Sequence, residues 1–536
     1  MQIPTYDSFV HPYNWLLILA LSSYIISIVL FETIQNKRYS LNFLFLGSIV
    51  FFSYIAITYP FLHTWDEQFH ALVAKNLSNH FLTPTLLENP ILPFNATGGS
   101  WWVDSHIWLH KQPFFLWQMA LSMKIFGVNT FALRIPDIIM ASIIPLFIYR
   151  IGKIIQSKSL GFYAGLLFIS SSYLMTLISG KLNTDHNDMA FIFYVTASFW
   201  AWFEYSKSGN KAWLIAIGVF SGIAILVKWL VGLIVYAAWG IIILSQKNIR
   251  FQLSSYYDLL KSLAITIAIA LPWQIYILLQ YPIISRFEYA YSSSHLQNAL
   301  EGHGGNWQYH FQQWNEHIAP YFQYLIPISL ILFFFTKIHI RYKIAISAWV
   351  IIITLFFTYA ATKMPAFTFI ISPLFFIILL SFWDKLVSDW SNKANGLMQK
   401  YFIPIFRASI MAMAFYFMFN LELLENKPTW RKDKWKENYT EALTFKKIAT
   451  MNLPENSRFY NFYFHGAVRF MFHTPYQGRS FIPTSEEIEI LKSNQVAIYI
   501  FDNNQLPDYI LKDHSIVKIK SPIWPDYQIE DLEFYK

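Results

Sequence analysis

The sequence predicts a mainly α-helical, polytopic membrane protein with a small α/β domain at its C-terminal end. Of its 536 residues, 55% are hydrophobic and only 13% are charged, whereas soluble domains carry about a quarter charged residues. Many apolar stretches approach the ~20 residues that a bilayer-spanning helix needs. After residue 421 the composition changes to short, alternating helix and strand patterns.

The apolar stretches predict about twelve transmembrane helices. The first runs from Trp15 to Phe31. It has neither a preceding basic segment nor a following small-residue cleavage site, so we interpret it as a retained helix. The predicted spans are residues 14–34, 41–62, 131–152, 160–179, 188–206, 211–227, 229–245, 257–279, 319–336, 344–361, 366–383 and 402–421.

Basic residues indicate the orientation of these helices. They concentrate in alternate connections, such as those that contain Lys37, Arg150 and Lys207. The positive-inside rule makes these connections cytoplasmic, and it places both termini and the long loops 63–130 and 280–318 outside. The net charge of +8 therefore reflects membrane orientation, and we expect no nucleic-acid partner. Cysteine is absent, which excludes disulfides and cysteine nucleophiles. This absence suits a bacterial inner membrane.

Two short helices are predicted in the first outer loop. From Asp66, apolar residues recur at a helical spacing, at Phe69, Leu72, Val73 and Leu77. This pattern predicts an amphipathic helix lying on the outer membrane surface. The apolar stretch 114–126 is too short to span comfortably, so we place it at the interface as well.

The C-terminal tail, residues 422–536, is predicted to be a soluble extracytoplasmic α/β domain, distinct from the membrane domain at 1–421. Helical patterns occupy 438–450 and 484–493. β-rich runs alternate with them at 458–464, 496–501 and 515–519.

The adjacent carboxylates Asp66 and Glu67 are the sharpest candidates for chemistry. They stand where a spanning helix reaches the outer surface, and ionisable residues at such positions are costly and often functional. We predict both as catalytic. For Glu67 the alternative is a capping box with Thr64, three residues earlier.

Cations on the same face suit a phosphate group. Lys111, among tryptophans, is predicted to bind a donor phosphate, although a lysine snorkelling to the headgroups would look the same. Arg134 opens a span and suits either a carboxylate or a lipid phosphate. Arg286 in the second loop is a third candidate for phosphate binding.

Four further residues are predicted to bind substrate: Asp185, Asp188, His295 and Lys363. Asp185 and Asp188 are three apart, on one face if helical, with helix N-capping as the alternative for at least one of them. Loop histidines such as His295 are more often solvated than ligands. Lys363 lies in a tight outer turn, where a lysine also needs no special role.

The order of several motifs resembles a known family. Asp66-Glu67 is followed by Lys111-Gln112-Pro113, by the segment 126–129 (Phe-Gly-Val-Asn), and by Leu133-Arg134-Ile135-Pro136. Later come Asp188-Met189, Lys228-Trp229 and Lys363-Met364-Pro365. This order is similar to that of the GT-C membrane glycosyltransferases, which include protein O-mannosyltransferases and bacterial aminoarabinose transferases. The resemblance covers most of 60–380.

The resemblance implies that a sugar is transferred from a polyprenyl-phosphate donor to an acceptor at the outer membrane face, with inversion. The acceptor would be lipid A, another glycan or lipid, or a protein. Asp66 would be the base that deprotonates the acceptor hydroxyl. Lys111 would stabilise the leaving phosphate.

The sequence departs from the aminoarabinose pattern at several positions. His110 replaces a glutamate and Gln112 replaces a proline. Ser294, His295 and Asn298 stand where an acidic residue, a histidine and an arginine are expected. Arg286 is a candidate replacement for that arginine, and His110 with His295 form a candidate divalent-metal site.

Two other functions fit the same features. A transporter would place charged residues and broken helices near the bilayer midplane, but the carboxylates cluster at one surface. A ligase would use the same outer loops on a diphosphate-linked polymer. We expect a monomer whose partners are the donor lipid, the acceptor and membrane lipids.

Overall fold

The computed structural model describes residues 3–92, 105–180, 186–419, 432–463, 465–523 and 532–536. Helices dominate the first 419 residues. They are Tyr6–Val10 (α1), Asn14–Glu32 (α2), Lys37–Ile57 (α3), Asp66–Leu77 (α4), Phe114–Phe126 (α5), Thr130–Ile155 (α6), Lys158–Ile169 (α7), Ser172–Ser179 (α8), His186–Ser208 (α9), Ala212–Lys228 (α10), Ile234–Ser245 (α11), Tyr257–Gln280 (α12), Pro282–Ser294 (α13), Tyr309–His317 (α14), Phe322–Phe334 (α15), Ile340–Tyr359 (α16), Ala366–Phe369 (α17), Ser372–Lys393 (α18) and Ile403–Met418 (α19).

The membrane class is confirmed, while the count of about twelve spans stays a prediction. Within the described residues, seven helical segments are long and apolar enough to cross a membrane, or nine if each of two bent pairs is one span. Large apolar side chains such as Ile18, Leu355 and Phe417 are 64–71% exposed. Such side chains are unfavourable in water and suit contact with lipid.

One predicted span is bent in the structure, since the predicted span 160–179 bends by 53° between α7 and α8. The two predicted spans 211–227 and 229–245 fall within one segment, 212–245. Within it, α10 ends at Lys228, and the following residue, Trp229, has a φ of +62°.

Small residues let α6 and α7 approach closely. A Cβ atom on Gly152 would lie 2.4 Å from the Cα atom of Gly161, and one on Gly165 would lie 2.8 Å from the carbonyl oxygen of Pro145. Close backbone approach at small residues is typical of helix packing in membranes. This contact fixes α6, which carries part of the site.

Helix α4 forms where it was predicted, but it does not lie on an open surface. Ten of its twelve residues are buried, and only Asp66 and Lys75 are not. Helix α4 packs on α5, and the C-terminal tail covers another side of it. The sequence pattern missed this second contact because the tail is almost 400 residues away along the chain.

The tail contains a five-stranded sheet in the order β2-β1-β3-β4-β5. Its strands are Arg458–Tyr460 (β1), Gln477–Arg479 (β2), Ile498–Phe501 (β3), Val517–Lys520 (β4) and Glu533–Tyr535 (β5), and only β5 is antiparallel to its neighbour. The tail helices are Lys432–Ala449, Gly466–His473, Ser485–Ser493 and Asp508–Leu511. We call Gly466–His473 the docking helix because it packs on α4. The predicted boundary at 421/422 lies outside the described residues.

Candidate active site

Asp66 is the first residue of α4 and faces a partly open space. Its side chain is 22% exposed, and its Oδ2 atom lies 3.7 Å from Nζ of Lys111, which is 19% exposed. The preceding residue, Trp65, makes no side-chain cap to the helix. Both the Lys111 ammonium and the helix dipole favour a negative charge at this position.

Glu67 points the opposite way and is fully buried. Its Oε1 atom accepts from Nε of Arg134 at 2.8 Å and lies 3.0 Å from Nε2 of His186. Its Oε2 atom accepts from Nη2 of Arg134 at 3.1 Å and from the backbone N–H of His63 at 2.7 Å. Burial alone would raise the pKa of Glu67, but Arg134 and His186 hold it well below its usual value.

The capping box predicted between Thr64 and Glu67 is not formed. Helix α4 begins at Asp66, with Trp65 at its N-cap position. The Glu67 carboxylate still bonds a backbone N–H ahead of the helix, but that N–H belongs to His63. Glu67 therefore anchors the turn that leads into α4.

Arg134 is a fully buried hub. Besides Glu67, its guanidinium donates to the carbonyl oxygens of Ala56 (3.0 Å), Tyr59 (2.6 Å) and Phe61 (2.9 Å). Sequence left a carboxylate and a lipid phosphate as alternative partners, and here the partner is a carboxylate. The guanidinium has no exposed surface for a phosphate, and it ties the end of α3 to α4 and α6.

Two residues that the sequence analysis missed complete this buried cluster. His186 at the start of α9 bonds Glu67 through Nε2 and Asp137 through Nδ1. Asp137 lies three residues after Arg134 on α6, so both point to the same side of that helix. The three-residue spacing of Arg134 and Asp137 is the sequence feature from which Asp137 could have been predicted.

Gly180 closes over the buried cluster. It ends α8 with a φ of +62°. A Cβ atom there would lie 2.1 Å from Nη2 of Arg134 and 2.4 Å from Oε2 of Glu67. Only glycine fits both this backbone conformation and this space.

Residues next to Lys111 are held by α12 and α13. Nδ1 of His110 lies 3.4 Å from Oε2 of Glu288 on α13, and Glu288 is almost fully buried. Gln112 accepts a hydrogen bond from Gln274 (2.8 Å), which accepts one from Tyr289 (2.7 Å). The Lys111 segment is therefore clamped on both sides, and Glu288 is a further residue that the sequence analysis missed.

The two histidines of the predicted metal site lie against one tyrosine. The ring of Tyr291 contacts His110 at a centroid distance of 5.7 Å and His295 at 5.5 Å. Across the described parts of the chain, no three His, Asp or Glu side chains are placed to hold a metal ion. A divalent-metal site at His110 and His295 stays a prediction.

His295 lies in a positive electrostatic environment. Its pKa is lowered to about 4, first by burial and then by the nearby charges, which include Lys111 and Lys228. Its Nδ1 atom lies 2.9 Å from the hydroxyl oxygen of Thr362. The first and second outer loops thus meet around a neutral imidazole.

Lys228 is a second cation of this region, and the sequence analysis gave it no role. It lies at the end of α10 and forms an ion pair with Asp188 in the first turn of α9. Its ammonium also lies 5.0 Å from the centre of the Phe367 ring. Asp188 is therefore in the site region, while Asp185 lies outside the described residues.

Two other predicted residues point elsewhere. Nζ of Lys363 donates to the carbonyl oxygens of Thr358 (2.8 Å) and Ala360 (2.7 Å), so it caps the end of α16. Arg286 is exposed on α13, whereas the neighbouring Ser285 and Glu288 are buried.

Comparison with known proteins agrees with this architecture. The family model for dolichyl-phosphate-mannose-protein mannosyltransferases matches residues 110–276. An undecaprenyl phosphate-alpha-4-amino-4-deoxy-L-arabinose arabinosyl transferase from Pseudomonas savastanoi pv. phaseolicola is 27% identical over 198 residues, 35% of each chain. The matched segment spans only about a third of the curated relatives, 31% and 35% of their lengths.

The fold match is far more extensive than the sequence match. ArnT from Cupriavidus metallidurans, solved with bound undecaprenyl phosphate, has a TM-score of 0.62 at 14% identity, covering 89% of this chain and 92% of that one. An oligosaccharyltransferase from Archaeoglobus fulgidus has a TM-score of 0.54 at 14% identity, covering 83% and 65%. The motif order and the matching family model are similar to those of the GT-C membrane glycosyltransferases, and the solved structures share the fold of this chain.

Proposed function

We propose that the protein transfers a sugar from a polyprenyl-phosphate donor to an acceptor at the outer face of the membrane. One observation carries the proposal: Asp66 is a partly exposed carboxylate 3.7 Å from the Lys111 ammonium. This arrangement supplies a base and a phosphate-binding cation side by side. The fold likeness favours it over the transporter alternative.

The reaction needs only a few groups. The carboxylate of Asp66 takes the proton of the acceptor hydroxyl while that oxygen bonds to the anomeric carbon. The bond from this carbon to the phosphate oxygen breaks, and polyprenyl phosphate leaves. Lys111 and Lys228 neutralise the charge that grows on the phosphate. A single in-line displacement inverts the anomeric centre.

The remaining residues hold this arrangement. We assign Glu67 and Arg134 a positioning role, because both are buried and fully engaged with each other and with backbone groups. Asp188 orients Lys228 through their ion pair. His295 stays neutral near the two lysines and is placed to donate or accept a hydrogen bond.

Glu288 is suited to selecting the donor sugar. It is buried, and its Oε2 atom lies 3.4 Å from His110, next to the phosphate-binding lysine. Carboxylates accept hydrogen bonds from sugar hydroxyl or amino groups. Sugar selection by this loop would explain why residues near 110 depart from the aminoarabinose pattern.

The contact between the tail and α4 indicates which parts of the protein share one side of the membrane. The tail packs on α4 in the first outer loop, so both lie on one side of the membrane. We propose that this side is extracytoplasmic and that the protein is a monomer of the bacterial inner membrane. The acceptor then reaches the site from outside, and the donor enters laterally from the bilayer.

The first experiment measures transfer from a panel of radiolabelled polyprenyl-phosphate sugars to membrane extract. Wild type is compared with Asp66→Asn and with Asp258→Asn, a matched control that is also 22% exposed and paired with a lysine. We expect activity in wild type and the control, and none in Asp66→Asn.

Each other result is informative. Full activity in Asp66→Asn would remove this residue from the mechanism. Transfer only from a diphosphate-linked polymer would identify a ligase. No transfer by correctly inserted wild type from any donor would overturn the proposed function.

A further inference from the structure

The docking helix of the C-terminal tail runs beside α4 along its whole length. At one end, the ring of His465 lies 6.1 Å from that of Trp65. At the other end, Nζ of Lys75 donates to the carbonyl oxygens of Met471 (2.5 Å) and Thr474 (2.8 Å). The tail is therefore packed directly against the helix that begins with Asp66.

Between these ends, a buried arginine joins the tail to α4. Nη1 of Arg469 donates to Oε1 of Gln68 at 2.8 Å. The same guanidinium donates to both carboxylate oxygens of Glu441, at 2.5 and 2.9 Å. Glu441 belongs to the tail helix Lys432–Ala449, and its two bonds fix the plane of the guanidinium.

Gln68 connects Arg469 to the turn that precedes Asp66. It is fully buried, and its Nε2 atom donates to the carbonyl oxygen of Thr64 at 2.6 Å. Because Oε1 of Gln68 accepts from Arg469, the amide is held in the orientation that directs its NH₂ group at Thr64. No side chain caps the helix at this turn. The hydrogen bond from Gln68 to Thr64 therefore supports the turn on the side that faces the tail.

We propose that the C-terminal domain is a working part of the transferase site, in which Arg469 positions Asp66 through Gln68 and the backbone of Thr64. The inference rests on the proposed function of Asp66 as base. A base must stay within hydrogen-bond reach of the acceptor hydroxyl, and displacement by about 1 Å can cost roughly a hundredfold in rate.

The test compares Gln68→Leu and Arg469→Leu with Lys75→Met. The control removes a contact with the same docking helix, but that contact is not connected to the turn. We expect both test variants to lower kcat roughly tenfold to a hundredfold with the donor KM little changed. The control should lower thermal stability and keep kcat.

One further measurement separates positioning from general damage. The chain lacks cysteine, so a spin label on Thr64→Cys reports the mobility of the turn without any need for activity. We expect Gln68→Leu to sharpen its spectrum and Lys75→Met to leave it unchanged.

Either of two results would overturn the inference: an unchanged label spectrum in Gln68→Leu, or an equal loss of kcat in Lys75→Met. Failure of the proposed function would look different, because wild type itself would then transfer no sugar from any donor. In that case the label spectra would still report whether the tail orders the turn.

Discussion

Replacing Arg134 by lysine tests the buried cluster that holds α4. The arginine makes five hydrogen bonds, two to Glu67 and three to backbone carbonyls. A lysine ammonium has three donors, so at least two buried acceptors lose their donor. Each loss costs about 1–3 kcal/mol, which gives a destabilisation of about 2–6 kcal/mol for Arg134→Lys.

The assay is thermal unfolding in detergent, followed by aggregation and by binding of a dye to exposed apolar surface. Arg286→Lys is the matched control, because Arg286 is exposed on α13 and surface changes are usually within about 0.5 kcal/mol. We expect a melting temperature several degrees lower for Arg134→Lys only. Equal melting temperatures for both variants and wild type would refute the role given to the cluster.

Three other outcomes follow from the site. Gly180→Ala should unfold or insert poorly, because its Cβ atom would lie 2.1 Å from Nη2 of Arg134. Pulse proteolysis of membranes measures the unfolded fraction, and a wild-type digestion pattern would contradict the prediction. Lys111→Met should lower transfer at least roughly tenfold through loss of phosphate stabilisation, whereas Lys124→Met, on the exposed side of α5, should not; steady-state kinetics of both decides. The pKa of His295 is lowered to about 4, so its contribution to stability is complete above about pH 6.5 and decreases as the pH falls toward 4. Over this pH range, the unfolding midpoint of His295→Gln should fall less steeply than that of wild type.

The membrane class and the helical fold were predictable because they depend on local composition. A chain with 13% charged residues cannot cover a water-facing surface, wherever its helices pack. Periodicity likewise located α4, and the short apolar stretch 114–126 located α5. The end of α10 was predicted as the boundary between the spans 211–227 and 229–245. The bend of 53° within the predicted span 160–179 was not predicted, because no local pattern in that span marks it.

Part of the site was also predictable. Asp66 and Lys111 stand out as polar residues beside apolar spans, and the structure brings their charged atoms within 3.7 Å. The different roles of Asp66 and Glu67 were not predictable from the sequence. These neighbours have the same chemistry, and only the direction in which each points makes one partly exposed and the other fully buried.

By itself, the sequence determined that the chain enters a membrane and which family its motifs resemble. Only the tertiary structure decided which of those residues meet. Arg134 reaches Glu67 rather than an open surface, and Arg469 reaches Gln68 across about 400 positions of the chain. Such contacts depend on how helices cross in space, while a linear pattern records only spacing along one helix or strand.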